Sequence, residues 1–329
     1  MRVCRALLAV LLLSLAAQAP GGRAQEASLE AGRKAYESTD YAAAIRILNA
    51  AAANEPNNGE MQLLLTQAYV AVEQFNAAEK SGERAVAINP NNSEYHDWLG
   101  QAYGGKADHA SMFTALSLAS KTRKEFETAV QLDDHNFDAA QHLIEFDCTA
   151  PNFVGGGEEK AQPLIQKLLT LDASQGHYAA GNCRRQKKDF AGADAEFIKA
   201  LESHPNSLDI IQEIAEYFAN RGPAERALAA ADAAEAAAPA DPRGQFFRAT
   251  AWILQGEKLP DAEKILQNYL HAVPRHPSYP GPWAAHYWLG QLYEKQKNWA
   301  AARGEYGAAL KLNAKYKKAQ EALEQLGKS

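Results

Sequence analysis

Along almost the whole chain, apolar and small residues recur at spacings of three, four and seven, the intervals that stack side chains on one face of an α-helix. An aromatic is followed three residues on by Ala at Tyr41–Ala44, Phe75–Ala78, Phe190–Ala193 and Trp299–Ala302. Seven positions later comes Ala51, Ala85, Ala200 or Ala309. Upstream lies a second helical pattern, clearest in Leu99-Gly100-Gln101-Ala102-Tyr103 and Leu289-Gly290-Gln291-Leu292-Tyr293. Prolines punctuate these pairs. Pro56 to Pro90 is 34 residues, Pro205 to Pro239 is 34 and Pro239 to Pro274 is 35, while the 115 residues from Pro90 to Pro205 fit three units carrying insertions.

The pattern predicts helix–turn–helix units. Small residues let paired helices approach, Leu and aromatic positions fill the seam, and proline ends one unit and starts the next. A hairpin of ~34 residues cannot bury its own apolar face, so the units must stack. These residues resemble the tetratricopeptide repeat, which runs Leu-Gly-x-x-Tyr, then Ala-x-x-x-Phe, then Pro. The resemblance covers nearly all of residues 25–316 and implies an all-α, right-handed superhelical solenoid of antiparallel helix pairs. The register is 25–58, 59–92, 93–136, 137–173, 174–207, 208–241, 242–282 and 283–316. A capping helix over 315–327 is expected, since Ala319, Ala322, Leu323 and Leu326 fall at helical spacing.

Three segments depart from a plain solenoid. Residues 105–120 lengthen the second helix of the third unit toward its N-terminus. Residues 151–157 include Gly155-Gly156-Gly157, and residues 274–282 form a proline-rich run. The glycines lack the Gly-Lys-Ser/Thr ending of a nucleotide loop and are followed at once by Glu158 and Glu159, so a tight turn is expected there.

The first 24 residues carry a different pattern. Arg2 and Arg5 precede the apolar run Ala6–Ala17, and Gly22-Arg23-Ala24 offers a small-residue cleavage site before Gln25. This is a secretory signal pattern, with the cut expected after Ala24. It implies an exported mature chain, with the periplasm as its expected compartment and no stable membrane insertion expected elsewhere. Removing residues 1–24 takes away three arginines and no acid, so the formal charge goes from −6 to −9. Such a balance, without a basic stripe, argues against a nucleic-acid partner.

Candidate chemistry is sparse. The sequence has no His-Glu-x-x-His, Cys-x-x-Cys or Gly-x-Ser-x-Gly. His96, His177 and His286 occupy one slot of three different repeats and cannot meet at a single metal. No catalytic residue, cofactor or metal is expected. The remote enzyme alternative would centre on Asp147, Glu158 and Glu159. Cys148 and Cys183 fall late in the first helices of consecutive repeats and are a candidate disulfide in an oxidising compartment, the alternative being two buried thiols.

The informative rows lie on the first helices. One slot reads Arg33, Gln67, Gln101, Glu145, Asn182, Glu216, Thr250 and Gln291. The slot one turn earlier reads Leu29, Leu63, Asp97, Gln141, Tyr178, Gln212, Phe246 and Tyr287. The resemblance places this face on the concave surface. It implies a scaffold that binds an extended polypeptide segment, in envelope or secretion-complex assembly. The partner-binding candidates are Arg33, Gln67, Gln101, Gln141, Glu145, Tyr178, Asn182, Gln212, Glu216, Phe246, Tyr287 and Gln291. Amides offer donors and acceptors to a peptide backbone, and aromatics offer anchors. Leu29 and Arg33 stand where relatives that grip a terminal carboxylate carry Lys and Asn, which weighs against that ligand. A glycan or cell-wall ligand is the alternative.

Overall fold

A computed structural model of the chain describes residues 20–327. The expected signal sequence lies outside them except for its last five residues, 20–24, which open the first helix. Eight helix pairs follow one another: α1 (Pro20–Glu37) and α2 (Tyr41–Ala52), α3 (Gly59–Ala71) and α4 (Phe75–Ile88), α5 (Ser93–Asp108) and α6 (Met112–Leu132), α7 (Phe137–Thr149) and α8 (Glu158–Leu171). Then come α9 (Ala173–Gln186) and α10 (Phe190–Glu202), α11 (Leu208–Arg221) and α12 (Ala224–Ala237), α13 (Pro242–Gln255) and α14 (Leu259–Ala272), α15 (Pro282–Lys295) and α16 (Trp299–Leu312), with α17 (Lys317–Leu326) last. No strand occurs among the described residues.

Sequential helices pack closely on one another except at α10 and α11, whose backbones stand further apart and whose seam is filled by Phe197, Tyr217 and Phe218. Several first helices also touch the first helix of the next pair, as α3 does α5 and α7 does α9. Extensive helix–helix contact reaches no further than the next-but-one helix. That is the contact pattern of a solenoid, in which each unit's apolar face is closed by the unit beside it.

The glycine that recurs in the first helices has a steric cause. A Cβ on Gly181 would stand 2.6 Å from the ring of Phe197, and one on Gly290 would stand 2.3 Å from the ring of Tyr306. The glycine thus opens the notch that the aromatic of the second helix enters, and Phe197 and Tyr306 are completely or almost completely buried there. The alanines of the pattern, Ala44, Ala78, Ala193 and Ala302, have no exposed surface.

Turn chemistry repeats as well. Thr39, Glu73, Lys188 and Lys297 each take a left-handed backbone in the turn inside a pair, with φ of 60°, 59°, 63° and 60°. The next residue is the N-cap of the second helix. Asp40, Asp189 and Asn298 accept hydrogen bonds from the backbone N–H groups of Ala43, Gly192 and Ala301, at 3.0, 3.0 and 3.2 Å.

The histidine slot is structural. His96 Nδ1 lies 2.6 Å from Glu125, His177 Nδ1 2.8 Å from Glu196 and His286 Nδ1 2.7 Å from Glu305. In each case an imidazole on the first helix is tied to a carboxylate on its partner helix.

The irregular segments follow the sequence pattern only in part: of residues 105–120, those up to Asp108 lengthen the first helix of the third unit, α5, and only those from Met112 belong to the second. Helix α6 runs for 21 residues, with Met112 and Phe113 exposed at its start. Residues Asn152–Val154 form one 3-10 turn, and Gly155 and Gly157 take φ of 100° and 135°, where glycine is the least strained residue. Helix α17 buries Ala319, Ala322 and Leu326 against Ala302, Tyr306 and Ala309 of α16.

The spiral brings distant units together. Lys315, just before α17, pairs with Glu73 in the turn between α3 and α4, Nζ to Oε2 2.7 Å. Thr39 and Tyr41 share a pocket of about 360 Å³ with the proline-rich segment and Trp283. No helix among the described residues is long and apolar enough to cross a membrane.

Candidate functional site

The polar rows run along the first helices, beside the buried seam. Along α7, α9 and α11 they border a pocket of about 510 Å³. Five of the residues singled out from the sequence meet there: Gln141 and Glu145 from α7, Tyr178 and Asn182 from α9, and Gln212 from α11. Gln141 Nε2 is held by the Gln175 carbonyl at 3.0 Å, and burial raises the Tyr178 phenol well above its ordinary pKa. Tyr178 leans on Phe197 of the core, with ring centroids 6.1 Å apart, which fixes its position at the rim.

A second pocket of about 340 Å³ adjoins the first and shares Gln212 with it. Glu216 and Phe246 line it, together with Trp283, Trp288 and Tyr316. Phe246 is only 3% exposed and packs on Tyr269 at 4.9 Å between centroids, so it is floor rather than a projecting anchor. Thr250, from the same polar row, is buried and returns its hydroxyl to the Phe247 carbonyl at 2.8 Å.

The remaining candidates do not join these pockets. Arg33 pairs with Glu60, Gln67 Nε2 donates to Glu94 at 3.4 Å and Gln101 Nε2 to Asp97 at 3.1 Å, a polar ladder over α1, α3 and α5. Gln291 Nε2 donates to the Tyr306 hydroxyl at 2.6 Å, and Tyr287 is packed among Trp288, Tyr306 and Tyr316. Both are turned toward the last pair's own core.

The sequence rows missed a third. Two turns before Gln67, Gln101, Glu145 and Glu216, further along the i, i+3, i+7 ladder, stand Glu60, Glu94, Asp138 and Asp209. All four fall in the first turns of their helices, where acids also complement the helix dipole. In α13 the slot holds Arg243, 7% exposed. Its guanidinium contacts Asp209 at 2.6 Å and Asp241 at 3.0 Å, donates to the Ser278 carbonyl at 3.3 Å and lies 5.3 Å from the Tyr279 ring. Arg243 therefore pins the proline-rich segment against the groove, which brings Ser278 into the first pocket and Tyr279 into the second. Neither the third row nor this wall was visible in the two rows read from the sequence, although extending them by one helical turn reaches the acids.

The face is acidic. Burial and neighbouring carboxylates push Asp138, Glu94, Glu213 and Glu216 above the usual carboxylate range. His142 is raised too: burial opposes its charging, but a 2.8 Å hydrogen bond to Asp97 and the carboxylates of Asp138 and Glu145 outweigh it. Lys318 of α17 is lowered by burial, with Glu216 as its counter-charge.

Cys148 of α7 and Cys183 of α9 stand with Cα atoms 5.4 Å apart, inside the range a disulfide spans. The pair lies behind the first pocket, in the core that carries it. Of the acids considered for an enzyme, Asp147 is engaged by Arg123 at 2.9 Å and Glu158 by Lys187, two separate ion pairs. Among the described residues, the one group with the spacing of metal ligands is Asp133, Asp134 and His135, all exposed, with Asp134 paired to Lys167 at 3.2 Å.

Residues 35–102 and 255–319 match models of the tetratricopeptide repeat. No curated protein matches the chain. Among solved structures it is similar to a thermophilic tetratricopeptide repeat protein of Thermus thermophilus, at 20% identity over 56% of this chain and 94% of that one, with a TM-score of 0.46. A tetratricopeptide repeat protein from Parabacteroides merdae aligns over 93% of this chain and 99% of its own at 13% identity, TM-score 0.43. The C-terminal part of a repeat-containing protein from Cytophaga hutchinsonii aligns over 92% and 98% at 17% identity, TM-score 0.41.

Proposed function

Because the chain is a tetratricopeptide repeat protein, and such repeats generally mediate protein–protein binding, we propose that it is a non-catalytic scaffold holding an extended polypeptide segment in its concave groove. The observation that carries this reading is the convergence of Gln141, Glu145, Tyr178, Asn182 and Gln212 from three successive first helices on one open pocket. Amide side chains spaced along such a face can exchange hydrogen bonds with a peptide backbone in either direction, which suits a strand without secondary structure of its own. The signal pattern of residues 1–24 supports an exported location for this work, and the role proposed there is the assembly of an envelope or secretion complex.

A photo-crosslinking residue placed at Gln101 or at Glu216 tests this in intact cells. Both sites are expected to capture the same envelope protein, and a control at Lys199 on the outer helix α10 is expected to capture none. No captured protein, together with retention of the mature chain on purified peptidoglycan, would replace the peptide by a glycan. Recovery of the mature chain with Gln25 as its first residue checks the export signal.

A further inference from the structure

The structure leads us to infer that the bound segment is cationic. It seats a lysine or arginine in the pocket of α7, α9 and α11, and an apolar or aromatic side chain a short distance away in the tryptophan-walled pocket beside it. This rests on the reading of the concave face as a polypeptide groove.

The charge balance of the first pocket carries the first half. Asp138, Glu145, Asp209 and Glu213 line it, against Arg185 and His142. Asp209 is already matched by Arg243, and His142 is matched by Asp97. Three carboxylates therefore face one guanidinium. Asp138 and Asp209 lie in first turns and complement their helix dipoles, but Glu145 and Glu213 sit well inside α7 and α11, where that explanation does not reach. These acids are open to solvent yet walled by protein on the groove side, so they interact with one another more strongly than surface acids do. Burial first, and neighbouring carboxylates after it, raise Asp138 and Glu213. A cationic side chain would relieve the repulsion among these acids, whereas an acidic ligand would add to it.

Gln212 supplies an independent sign of a ligand. It lines both pockets, and its Oε1 is shut off from solvent without a hydrogen-bond partner. A buried amide acceptor left unpaired is costly, and a rotation of the Gln212 side chain toward the groove would let a backbone N–H crossing from one pocket to the next satisfy it. The second pocket offers Trp283, Trp288 and Phe247 over a floor of Phe246 and Pro280, a surface suited to a flat apolar side chain. Its one acid, Glu216, faces Lys318, so this pocket adds little charge of its own.

The test is selection of a random dodecapeptide phage library on the immobilised full chain, followed by titration of the enriched synthetic peptides against variants. Enriched peptides are expected to carry Lys or Arg with a nearby Trp, Phe, Tyr or Leu, and to weaken roughly tenfold or more with Glu213→Lys and with Glu145→Lys. Raised salt should weaken them too. Both substitutions are at exposed positions, and an unchanged melting temperature will show that the variants fold. Acidic or uncharged winners that lose affinity with Asn182→Ala but not with Glu213→Lys would overturn the charge assignment and keep the groove. Winners indifferent to Asn182→Ala, Gln141→Ala and Glu213→Lys alike, or no winners, would overturn the inference together with the groove reading.

Discussion

His96 shows most directly how single side chains are committed in this fold. Its Nδ1 faces Glu125 and its Nε2 faces the Pro90 carbonyl at 2.9 Å, so both ring nitrogens must donate, which only the imidazolium does. The Glu125 hydrogen bond accordingly holds His96 above its ordinary pKa, against the opposing effect of burial. A group raised in this way stabilises the fold fully below the unfolded value, near 6.5. The contribution is lost as pH rises through the folded value. His96→Gln should therefore cost about 1–3 kcal/mol at pH 5.5 and clearly less at pH 9, measured by urea unfolding at both. Equal losses at the two pH values would mean that the ring is neutral in the fold. The three histidines of this slot read as spread-out singletons in the sequence. Their Glu partners stay hidden there because the pairing depends on which faces of two helices meet.

At the scale of the helix pair, the repeated turn is the weakest local choice. Thr39, Glu73, Lys188 and Lys297 adopt a left-handed backbone that costs a non-glycine residue about 1 kcal/mol. Lys188→Gly and Lys297→Gly, at exposed positions, should each gain up to about 1 kcal/mol, seen as a higher Tm. Lys297→Val should lower the Tm, because a β-branched residue is the poorest fit to that conformation. The helices themselves were legible, since their spacing of aromatic, Ala and Pro is a local pattern. So were the two polar rows that supply Gln141, Glu145, Tyr178, Asn182 and Gln212. The acids Asp138 and Asp209 do not stand out in the sequence, because a carboxylate in a first helical turn has an ordinary reason to be there. Phe246 looked like an anchor because burial within the row depends on Tyr269, in the next helix.

On the scale of the whole molecule, the part of the site least visible in the sequence is the wall contributed by residues 274–282. Its position depends on Arg243, on the cap helix and on how far eight pairs curl, none of which a local pattern contains. The Cys148–Cys183 pair belongs to this scale as well, because it would tie α7 to α9 behind the first pocket. In the exported protein these two residues should show no free thiol. Cys148→Ser should cost about 2–4 kcal/mol of stability relative to the oxidised form. Thiol titration of the unfolded chain with and without reductant, followed by thermal melting, checks both, and two free thiols in the unreduced chain would remove the link.

The contact between Lys315 and Glu73 and the pocket shared by Tyr41 and Trp283 turn an open coil into a clasped bracelet. A strand lying inside a bracelet enters by threading its own end or by waiting for the clasp to part. A tail with a free terminus is then a faster guest than a loop tethered at both sides, whatever its final affinity.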